Sequence, residues 1–404
     1  MTIDALRTVG VALVAVVSLA ACGSAHGSRV DLATPRFSHP TPITNPLFPI
    51  SELTQVIQLG EEANQPLRVE VTLLPETRVF DWDGQRVETL VSQYVAYRGG
   101  RILEVAVDYY AQADDGAVWY FGEDVDNYRD GRVADHHGSW LAGRDGPPGM
   151  IMPAHPRTGD VYRPENIPGL VFEEVTVLEA RGEMLRVEEH LMEGDIEHKE
   201  FSPGYGEFRA LAPDEMLTVA LAVPVDALGG PAPGALAELR RGATDVLQPS
   251  PDWAGLPAVA AASSRMWEPL AAGAPELLRA EMTTALAALT AAVDVRDLRA
   301  AHAAAMTVAQ AGLDLQLRHQ APPQVDLQRL GLWARQVVVD AASGDGAAVS
   351  GDVAVLETIW RRAHQAADPA GAWRVTDLLA RLQAAAESGD LPAAARAAEG
   401  LSDL

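Results

Sequence analysis

Cysteine and lysine each occur once in this chain of 404 residues, and their scarcity excludes several kinds of site. The one cysteine, Cys22, cannot form an intrachain disulfide or a metal site built from paired cysteines. The one lysine, Lys199, lies in IEHKEF, so the chain has neither a phosphate-binding GxxxxGK[ST] loop nor a Ser-x-x-Lys nucleophile. GxSxG and HExxH motifs are absent as well. We therefore expect no catalytic site of these classes.

Positive charge is also scarce, with 31 Lys and Arg against 56 Asp and Glu and a formal net charge of -25. Nucleic-acid phosphates and anionic lipid headgroups repel a surface of this sign. This argues against nucleic acid as a partner and against direct adsorption to an anionic membrane. The hydrophobic content of 48% is typical of a globular protein, and the length predicts two domains.

The N-terminus carries an apolar run, VGVALVAVVSL at residues 9–19, which is too short to span a bilayer as a helix. With Arg7 before it and small residues after it, this run predicts a secretory signal peptide over residues 1–21. The following Leu19-Ala20-Ala21-Cys22 closely resembles the lipobox of bacterial lipoproteins. The resemblance implies cleavage before Cys22, a diacylglycerol on its sulfur and an acyl chain on the new amine, with no other cofactor expected. An ordinary signal peptide with a chance cysteine is the alternative.

The lipobox also implies where the protein works, namely on the extracytoplasmic side of the cell envelope, held to a membrane by lipid. Several buried acyl chains anchor a protein stably where one does not. Residues 22–45 are rich in Gly, Ser, Thr and Pro and show no periodicity. We expect them to form a lipidated, flexible tether between the membrane and the folded body.

The remaining chain divides by composition. Every Tyr and Phe precedes residue 209, in short alternating runs separated by turn signals such as Asp-Gly, whereas Ala-rich and Leu-rich segments follow. Aromatic and β-branched residues favour strands, and Ala and Leu favour helices. We expect an α+β protein with an antiparallel β-rich domain, a curved meander, over 46–227. An all-α domain of helical hairpins would follow over 234–404, after the Gly/Pro-rich ALGGPAPG.

Four aspartates mark a weak repeat in the second half: Asp252, Asp297, Asp345 and Asp390 each begin a similar passage, about 45 to 48 residues apart. An aspartate at such a position is suited to cap the helix that follows it. We interpret the pattern as a degenerate repeat of helix hairpins, either stacked as an array or closed as a bundle.

The stretch DDGAVWYFGEDVDNYRDG, residues 114–131, holds six carboxylates, but no starting position satisfies the EF-hand loop. Polar hairpin turns explain it more simply than a cation site. Weak metal-ligand candidates in this half are Asp124, Asp126, His136, His137 and His198. In the late hairpin, a two-residue Gly194-Asp195 turn would pair Leu191 with His198. A three-residue loop from residue 193 would instead place His190 across from His198, within reach of one metal.

Residues 138–169 form a long segment rich in Gly and Pro. Long irregular segments are often binding loops, but a structural crossover over the open end of the sheet is the alternative. The expected ligand-binding rim of an apolar concavity in the sheet consists of Trp119, Tyr120, Trp140, Met152 and His155.

Several motifs of the first half, WYFGEDVDNY, GMIMPAHPRTGDVYRPE and EHKEFSPGYGEF, resemble those of a group of uncharacterised bacterial secreted proteins with a WYFGE-containing β-domain. The resemblance covers roughly residues 45–210, and the helical half resembles tails found on some members. It supports the division into domains and implies no activity.

We expect a lipid-anchored, cell-envelope protein that binds a small molecule or another envelope protein without catalysis. A deep pocket with buried, converging Asp or His side chains would argue against this interpretation. Two alternatives stay open: an envelope protein that binds calcium or a transition metal, and a carboxylate-based hydrolase. The hydrolase would require two carboxyl groups facing each other across a cleft, about 5 to 10 Å apart.

Overall fold

The computed structural model describes residues 28–182, 184–192 and 194–402, so the predicted signal peptide and Cys22 lie outside the described residues. The described chain is of the α+β class, with an antiparallel β-rich part followed by helices, as the sequence predicts. The strands are β1 (Ser28–Arg29), β2 (Gln55–Glu62), β3 (Gln65–Trp82), β4 (Gln85–Arg98), β5 (Arg101–Gln112), β6 (Val118–Arg129), β7 (Arg132–Asp135), β8 (Trp140–Leu141), β9 (Gly149–Met152), β10 (Asp160–Ile167), β11 (Val171–Arg181), β12 (Met184–Leu191), β13 (Ile196–Ser202), β14 (Gly206–Ala212) and β15 (Glu215–Val223). The helices are α1 (Gly234–Val246), α2 (Leu256–Ala271), α3 (Glu276–Val295), α4 (Leu298–Gln316), α5 (Pro322–Ser343), α6 (Gly346–Ala363), α7 (Pro369–Ser388) and α8 (Leu391–Ser402), with a short 3-10 turn at His364–Ala366.

The described strands form one sheet in the order β1-β10-β11-β12-β13-β14-β15-β2-β3-β4-β5-β6-β7, with β8 and β9 also paired to β6. The neighbours are antiparallel apart from β1 with β10. Strand β10 packs against β9, so the two ends of the curved sheet meet. The meeting point requires glycine, because a Cβ on Gly149 would lie 1.8 Å from the carbonyl oxygen of Pro164.

Two Asp-Gly pairs close hairpins, as the sequence predicts. Asp83 and Gly84 have φ values of 49° and 71°, and Asp130 and Gly131 have values of 51° and 72°. Left-handed conformation at both central residues is the geometry of a two-residue hairpin whose twist matches that of the flanking strands. Local sequence therefore sets the registers of β3 with β4 and of β6 with β7.

The expectation of a flexible tether over 22–45 is corrected for its described part, residues 28–45. Ile43 is 1% exposed, and the Asn45 side-chain amide donates hydrogen bonds to the carbonyl oxygens of Pro153 and Gly116, at 3.0 and 3.2 Å. Phe37 packs edge-on against Phe121 at 5.4 Å. An aperiodic segment can satisfy its polar groups one by one along a surface, and composition does not reveal this.

Residues 138–169 are a structural crossover and not a long irregular loop. They contain β8, β9 and β10, which together join the two ends of the sheet. Short strands between Gly and Pro residues produce little periodicity, which is why this segment resembles a loop in the sequence.

Three of the four repeat aspartates cap helices as predicted. Asp297, Asp345 and Asp390 each accept a hydrogen bond from the backbone N–H three residues later, at 2.9–3.0 Å. Asp252 differs, because its side chain accepts from Ala254 N while Gly255 stands at the start of α2. The internal repeat itself stays a prediction.

The eight helices of the described chain close into two groups of four. In the first, each of α1 to α4 packs against the next, and α4 returns to α1; α5 to α8 form the same closed arrangement. Contacts between α4 and α5 join the groups. The helices are therefore two adjoining bundles and not one open array. None of the helices in the described part of the chain combines the length and apolarity needed to cross a membrane.

The helices pack on the convex side of the sheet, so the two parts share hydrophobic cores. Ile57 and Leu221 belong to the core of α1 to α5, and Val95 belongs to that of α5 to α8. Tyr97 of β4 stacks on Trp333 of α5 with ring centroids 5.7 Å apart. Strand β15 ends at Val223 and α1 begins at Gly234, on either side of the predicted boundary.

Candidate functional site

The concave side of the sheet, which we call the inner face, contains a cavity of about 170 Å³. Strand alternation decides which side chains reach it: Ser92 lies opposite Asp108, and Asp108 lies opposite Glu123, while Val95 points to the helices. Apolar side chains from β2 and β3 and from residues 48–53 form part of the lining. The polar side chains of the lining are Gln58, Ser92, Tyr94, Asp108, Tyr110, Tyr205 and Glu207.

The cavity exists because central strands leave their inner face unfilled. Val71, Leu73, Tyr94 and Tyr110 are only half-buried, although they lie on strands paired on both sides. A protein cavity of about 150 Å³ can hold a molecule the size of benzene. The inner-face cavity is therefore large enough for a small molecule or for one end of a larger one.

Ser92 gives the cavity an unpaired polar atom. The residue is 1% exposed, and its Oγ has no hydrogen-bond partner among the described residues. A buried hydroxyl group without a partner costs about 1 to 3 kcal/mol of stability. A ligand that offers a hydrogen bond at this point would restore the missing interaction.

Asp108 lies beside Ser92 and changes charge near neutral pH. Burial raises the pKa of Asp108 to about 7, although the hydrogen bond from the Tyr120 hydroxyl group, at 2.8 Å, acts to lower it. Negative charges at Glu104 and Glu165 raise this pKa further. The cavity can therefore present either a carboxylic acid or a carboxylate to a ligand.

Buried and half-buried carboxyl groups crowd the inner face around a single ammonium group. The carboxyl groups of this inner cluster are Asp108, Glu123, Glu165, Glu173, Glu189 and Glu207. Burial raises the pKa of all six. Lys199 Nζ lies 2.6 Å from Glu189 and 3.6 Å from Glu207. One cation cannot neutralise six carboxylates, so protons keep part of the cluster neutral.

Two pairs of carboxyl groups interact within the cluster. Glu165 acts to raise the pKa of Glu123, and Glu173 acts to raise that of Glu189. Burial and the neighbouring carboxylates raise the pKa of Glu123 and of Glu189 well above the ordinary value. The Trp140 indole N–H donates to Glu165 at 2.7 Å and so favours the ionised form of Glu165.

The opposite, helix-facing side of the sheet carries a second charge cluster, which we call the arginine–carboxylate network. It consists of Arg68, Glu70, Asp314, Asp326, Arg329 and Arg362. Arg329 lies 2.6 Å from Asp314 and 2.7 Å from Asp326, and Arg68 lies 2.8 Å from Glu70. Arg362 pairs with both Glu70 and Asp326. Three cations face three anions, so the network is neutral when every member is ionised.

The network joins the two parts of the molecule. Glu70 belongs to β3, whereas its partners Arg329 and Arg362 belong to α5 and α6. Burial acts to raise the pKa of Glu70, but the charges of Arg362, Arg329 and Arg68 outweigh burial and hold that pKa well below the usual value. A buried network in which each charge has a partner of opposite sign and which spans two parts of a fold indicates a structural role.

The residues of the predicted rim lie elsewhere. Trp119 and Tyr120 are 5% and 6% exposed, and Trp140 and Met152 are fully buried in the core of the sheet. None of these four lines the cavity, although the Tyr120 hydroxyl group donates a hydrogen bond to Asp108, which does. His155 is exposed beside a separate surface pocket. Ligand binding by these five residues stays a prediction.

The metal candidates are dispersed. Asp124 accepts hydrogen bonds from Arg78 at 2.9 Å and from the Tyr109 hydroxyl group at 2.7 Å, and Asp126 lies 2.9 Å from His136 Nδ1. His137 lies near Asn127 on the β6–β7 hairpin. Within residues 28–402, apart from 183 and 193, no three His, Cys, Asp or Glu side chains form a group that could hold a metal ion.

Both registers considered for the late hairpin are wrong. His190 pairs with Ile196, and Glu188 pairs with His198, so His198 has a different partner from the one in either expected register. His190 and His198 contact the same carboxylate, with Nε2 atoms 2.9 and 3.3 Å from Glu188. The pairing is displaced by three residues from the first expected register and by two from the second.

Sequence reasoning missed the cavity residues Ser92, Tyr94, Asp108 and Tyr110. One signal was present: LVSQYVAY and EVAVDYYA carry apolar side chains at both odd and even positions. This pattern is typical of strands covered on both faces. It does not reveal which face is left incompletely filled.

Comparison with known proteins adds no relatives. No protein-family model matches the chain, and no curated protein matches it either.

Proposed function

We propose that the protein is a non-catalytic ligand-binding module of the cell envelope and that its ligand occupies the inner-face cavity. The observation that carries the proposal is the unpaired Oγ of Ser92, buried beside Asp108 in a cavity with apolar walls. The excess of carboxyl groups on the inner face favours a positively charged group over a negative one. The ligand we infer is a small amine with an apolar body.

Thermal unfolding with a panel of small organic amines tests the binding proposal, with neutral isosteres of each amine as controls. We expect at least one amine to raise the Tm of the wild type and its isostere to have a smaller effect, because Asp108 pairs with the cation. Asp108→Asn should remove the difference between the two. Ser92→Leu should abolish both effects by filling the cavity. If no amine stabilises the wild type, or if Asp108→Asn responds as the wild type does, the proposal is wrong.

A second candidate function, a carboxylate-based hydrolase, is favoured by one observation. Asp108 and Glu207 line the same cavity, and a carboxyl group with a pKa of about 7 is suited to general acid–base catalysis. Converging carboxyl groups in a pocket are also the feature that argues against binding alone. Turnover of chromogenic glycosides that is lost in both Asp108→Asn and Glu207→Gln would favour this second function.

We also propose that Cys22 carries the lipid that holds the protein at the membrane. The lipobox sequence supports this, and the strongly acidic body supports a need for a covalent anchor. Mass spectrometry of the intact protein from membranes should show a diacylglycerol and an acyl chain on the wild type. Cys22→Ser should carry neither and should appear in the soluble fraction. Equal release of both proteins, with no lipid mass on the wild type, would refute the anchor.

A further inference from the structure

A groove on the helical part concentrates positive charge in a chain whose net charge is -25. It lies between α1, α5 and the beginning of α7 and has a volume of about 620 Å³. Arg240 and Arg241 of α1 and Arg335 of α5 line it, together with apolar side chains such as Leu330 and Val375. We call this surface the arginine groove. Its size is within the range of sites that bind small organic molecules.

The carboxylates near the groove are already engaged. Asp368, the one acidic residue among those that line the groove in the described chain, accepts hydrogen bonds from the backbone N–H groups of Ala370 and Gly371. Glu238 pairs with Arg241 at 2.6 Å on the outer side of α1, where both side chains are largely exposed. Neither carboxylate pairs with Arg240.

Arg240 lies close to other positive charges of the groove and has no carboxylate partner in the described chain. Its side chain is half-buried, and its Nε is enclosed by protein without a hydrogen-bond partner. Burial lowers the pKa of Arg240, and the positive charges of Arg241 and Arg335 lower it further, whereas no carboxylate acts to raise it. The positive charges of Arg240, Arg241 and Arg335 therefore lie close together, and no carboxylate of the described chain pairs with Arg240.

We propose that the arginine groove binds the phosphate group of an organic anion. A guanidinium group donates two parallel hydrogen bonds to phosphate oxygens, and a phosphate monoester offers three such oxygens and up to two negative charges. Arg240 and Arg335 bind the phosphate from α1 and α5, and Leu330 and Val375 contact the organic portion. The proposal does not depend on the inner-face cavity, which lies on the concave side of the sheet.

Two sources of this chemistry are available at a cell envelope, namely a free phosphate ester and the headgroup of an anionic phospholipid. Phenyl phosphate is the probe for the first source. Vesicles of phosphatidylglycerol, compared with vesicles of phosphatidylcholine, are the probe for the second. Binding of phenyl phosphate is measured by titration calorimetry and binding of vesicles by co-sedimentation, both on the full chain with Cys22→Ser, which removes the lipid anchor, and at low ionic strength, where exposed charges are least screened.

We expect saturable 1:1 binding of phenyl phosphate that weakens at least about tenfold in the double variant Arg240→Gln/Arg335→Gln. Arg265→Gln is the matched control, because it removes the same charge from an exposed position on α2 outside the groove. Arg335→Lys should weaken binding while keeping the charge, since it loses the planar fork. It also serves as the test variant if the double variant does not fold.

The probes then distinguish the outcomes. Binding of phenyl phosphate without vesicle binding supports a soluble ester, and groove-dependent binding to phosphatidylglycerol but not phosphatidylcholine supports a headgroup. The proposal is overturned if neither probe binds the wild type, or if the groove variants bind as tightly as Arg265→Gln.

Discussion

The two faces of the sheet bury acidic side chains in opposite ways. On the helix-facing side, Glu70, Asp314 and Asp326 each contact arginine, and the network is neutral while fully ionised. On the inner face, the six carboxyl groups of the inner cluster have one ammonium group, that of Lys199, among them. The first arrangement stabilises by pairing ions, whereas the second requires bound protons.

This difference gives the two faces opposite dependences on pH. The pKa of Glu70 is held low, so its contribution to stability is present above its ordinary pKa and is lost only as the solution becomes strongly acidic. The pKa of Asp108 is raised to about 7, so its favourable protonated state is lost as the pH rises toward that value. Where charge is balanced the sheet is fixed to the helices, and where it is not the sheet holds a cavity lined by a carboxyl group whose pKa is raised to about 7.

The largest effect is expected from breaking the arginine–carboxylate network. Arg329→Leu leaves Asp314 and Asp326 buried without their shared cation and should lower the free energy of unfolding by about 3 to 5 kcal/mol. Arg381→Leu, which removes an exposed pair with Asp377, should cost no more than about 0.5 kcal/mol. Urea unfolding of both variants measures the difference. If the two variants lose similar amounts of unfolding free energy, the network does not stabilise the contact between sheet and helices.

A second prediction tests the inner face through its pH dependence. Between about pH 4 and pH 7 the folded protein holds a proton on Asp108 that the unfolded chain has released, so stability should fall as the pH rises through this window. Asp108→Asn should remove up to about 1.4 kcal/mol per pH unit from this slope, the value for one proton. Urea unfolding at several pH values measures it.

Ser92→Ala is the control for that experiment, because it alters the same cavity without removing a titrating group. It should leave the slope unchanged. An unaltered slope in Asp108→Asn would show that Asp108 does not hold a proton in the folded protein, and the contrast between the two faces would then rest on the Glu123 and Glu189 pairs alone.

The smallest loss of stability is expected for an aspartate that lies outside both charge clusters and caps a helix. Asp297→Ala removes the cap of α4 and should cost about 1 kcal/mol. Asp252→Ala, which alters an aspartate that precedes α2 without capping it, should cost less. Thermal unfolding separates the two variants, and an equal or larger shift for Asp252→Ala would contradict the assignment of caps.

Local features of the fold were predictable from the sequence. The Asp-Gly hairpins and the aspartate caps depend on a few neighbouring residues whose chemistry allows one conformation, and the α+β division follows from aromatic, β-branched and alanine content. The composition of residues 28–45 wrongly predicted a flexible tether. A segment without periodicity can still be held in place by individual contacts such as those of Asn45.

The two charge clusters were not predictable, because they depend on distant pairings. Glu70 meets Arg362 across 292 positions of sequence, and no local pattern specifies that contact. Lys199 and Glu197 lie two residues apart on β13, and the alternation in IEHKEF shows that their side chains share one face. Alternation alone does not show that this face turns inward, since a polar face ordinarily faces solvent.

The position of Lys199 has a practical consequence. Its side chain is 20% exposed, and burial acts to lower its pKa while Glu189, Glu207 and Glu197 outweigh burial and raise it. Acylating reagents attack the neutral amine, so this side chain should react slowly while the sheet stays closed. The described chain holds no other lysine. The rate at which an acylating reagent modifies Lys199 would therefore report how often the curved sheet opens.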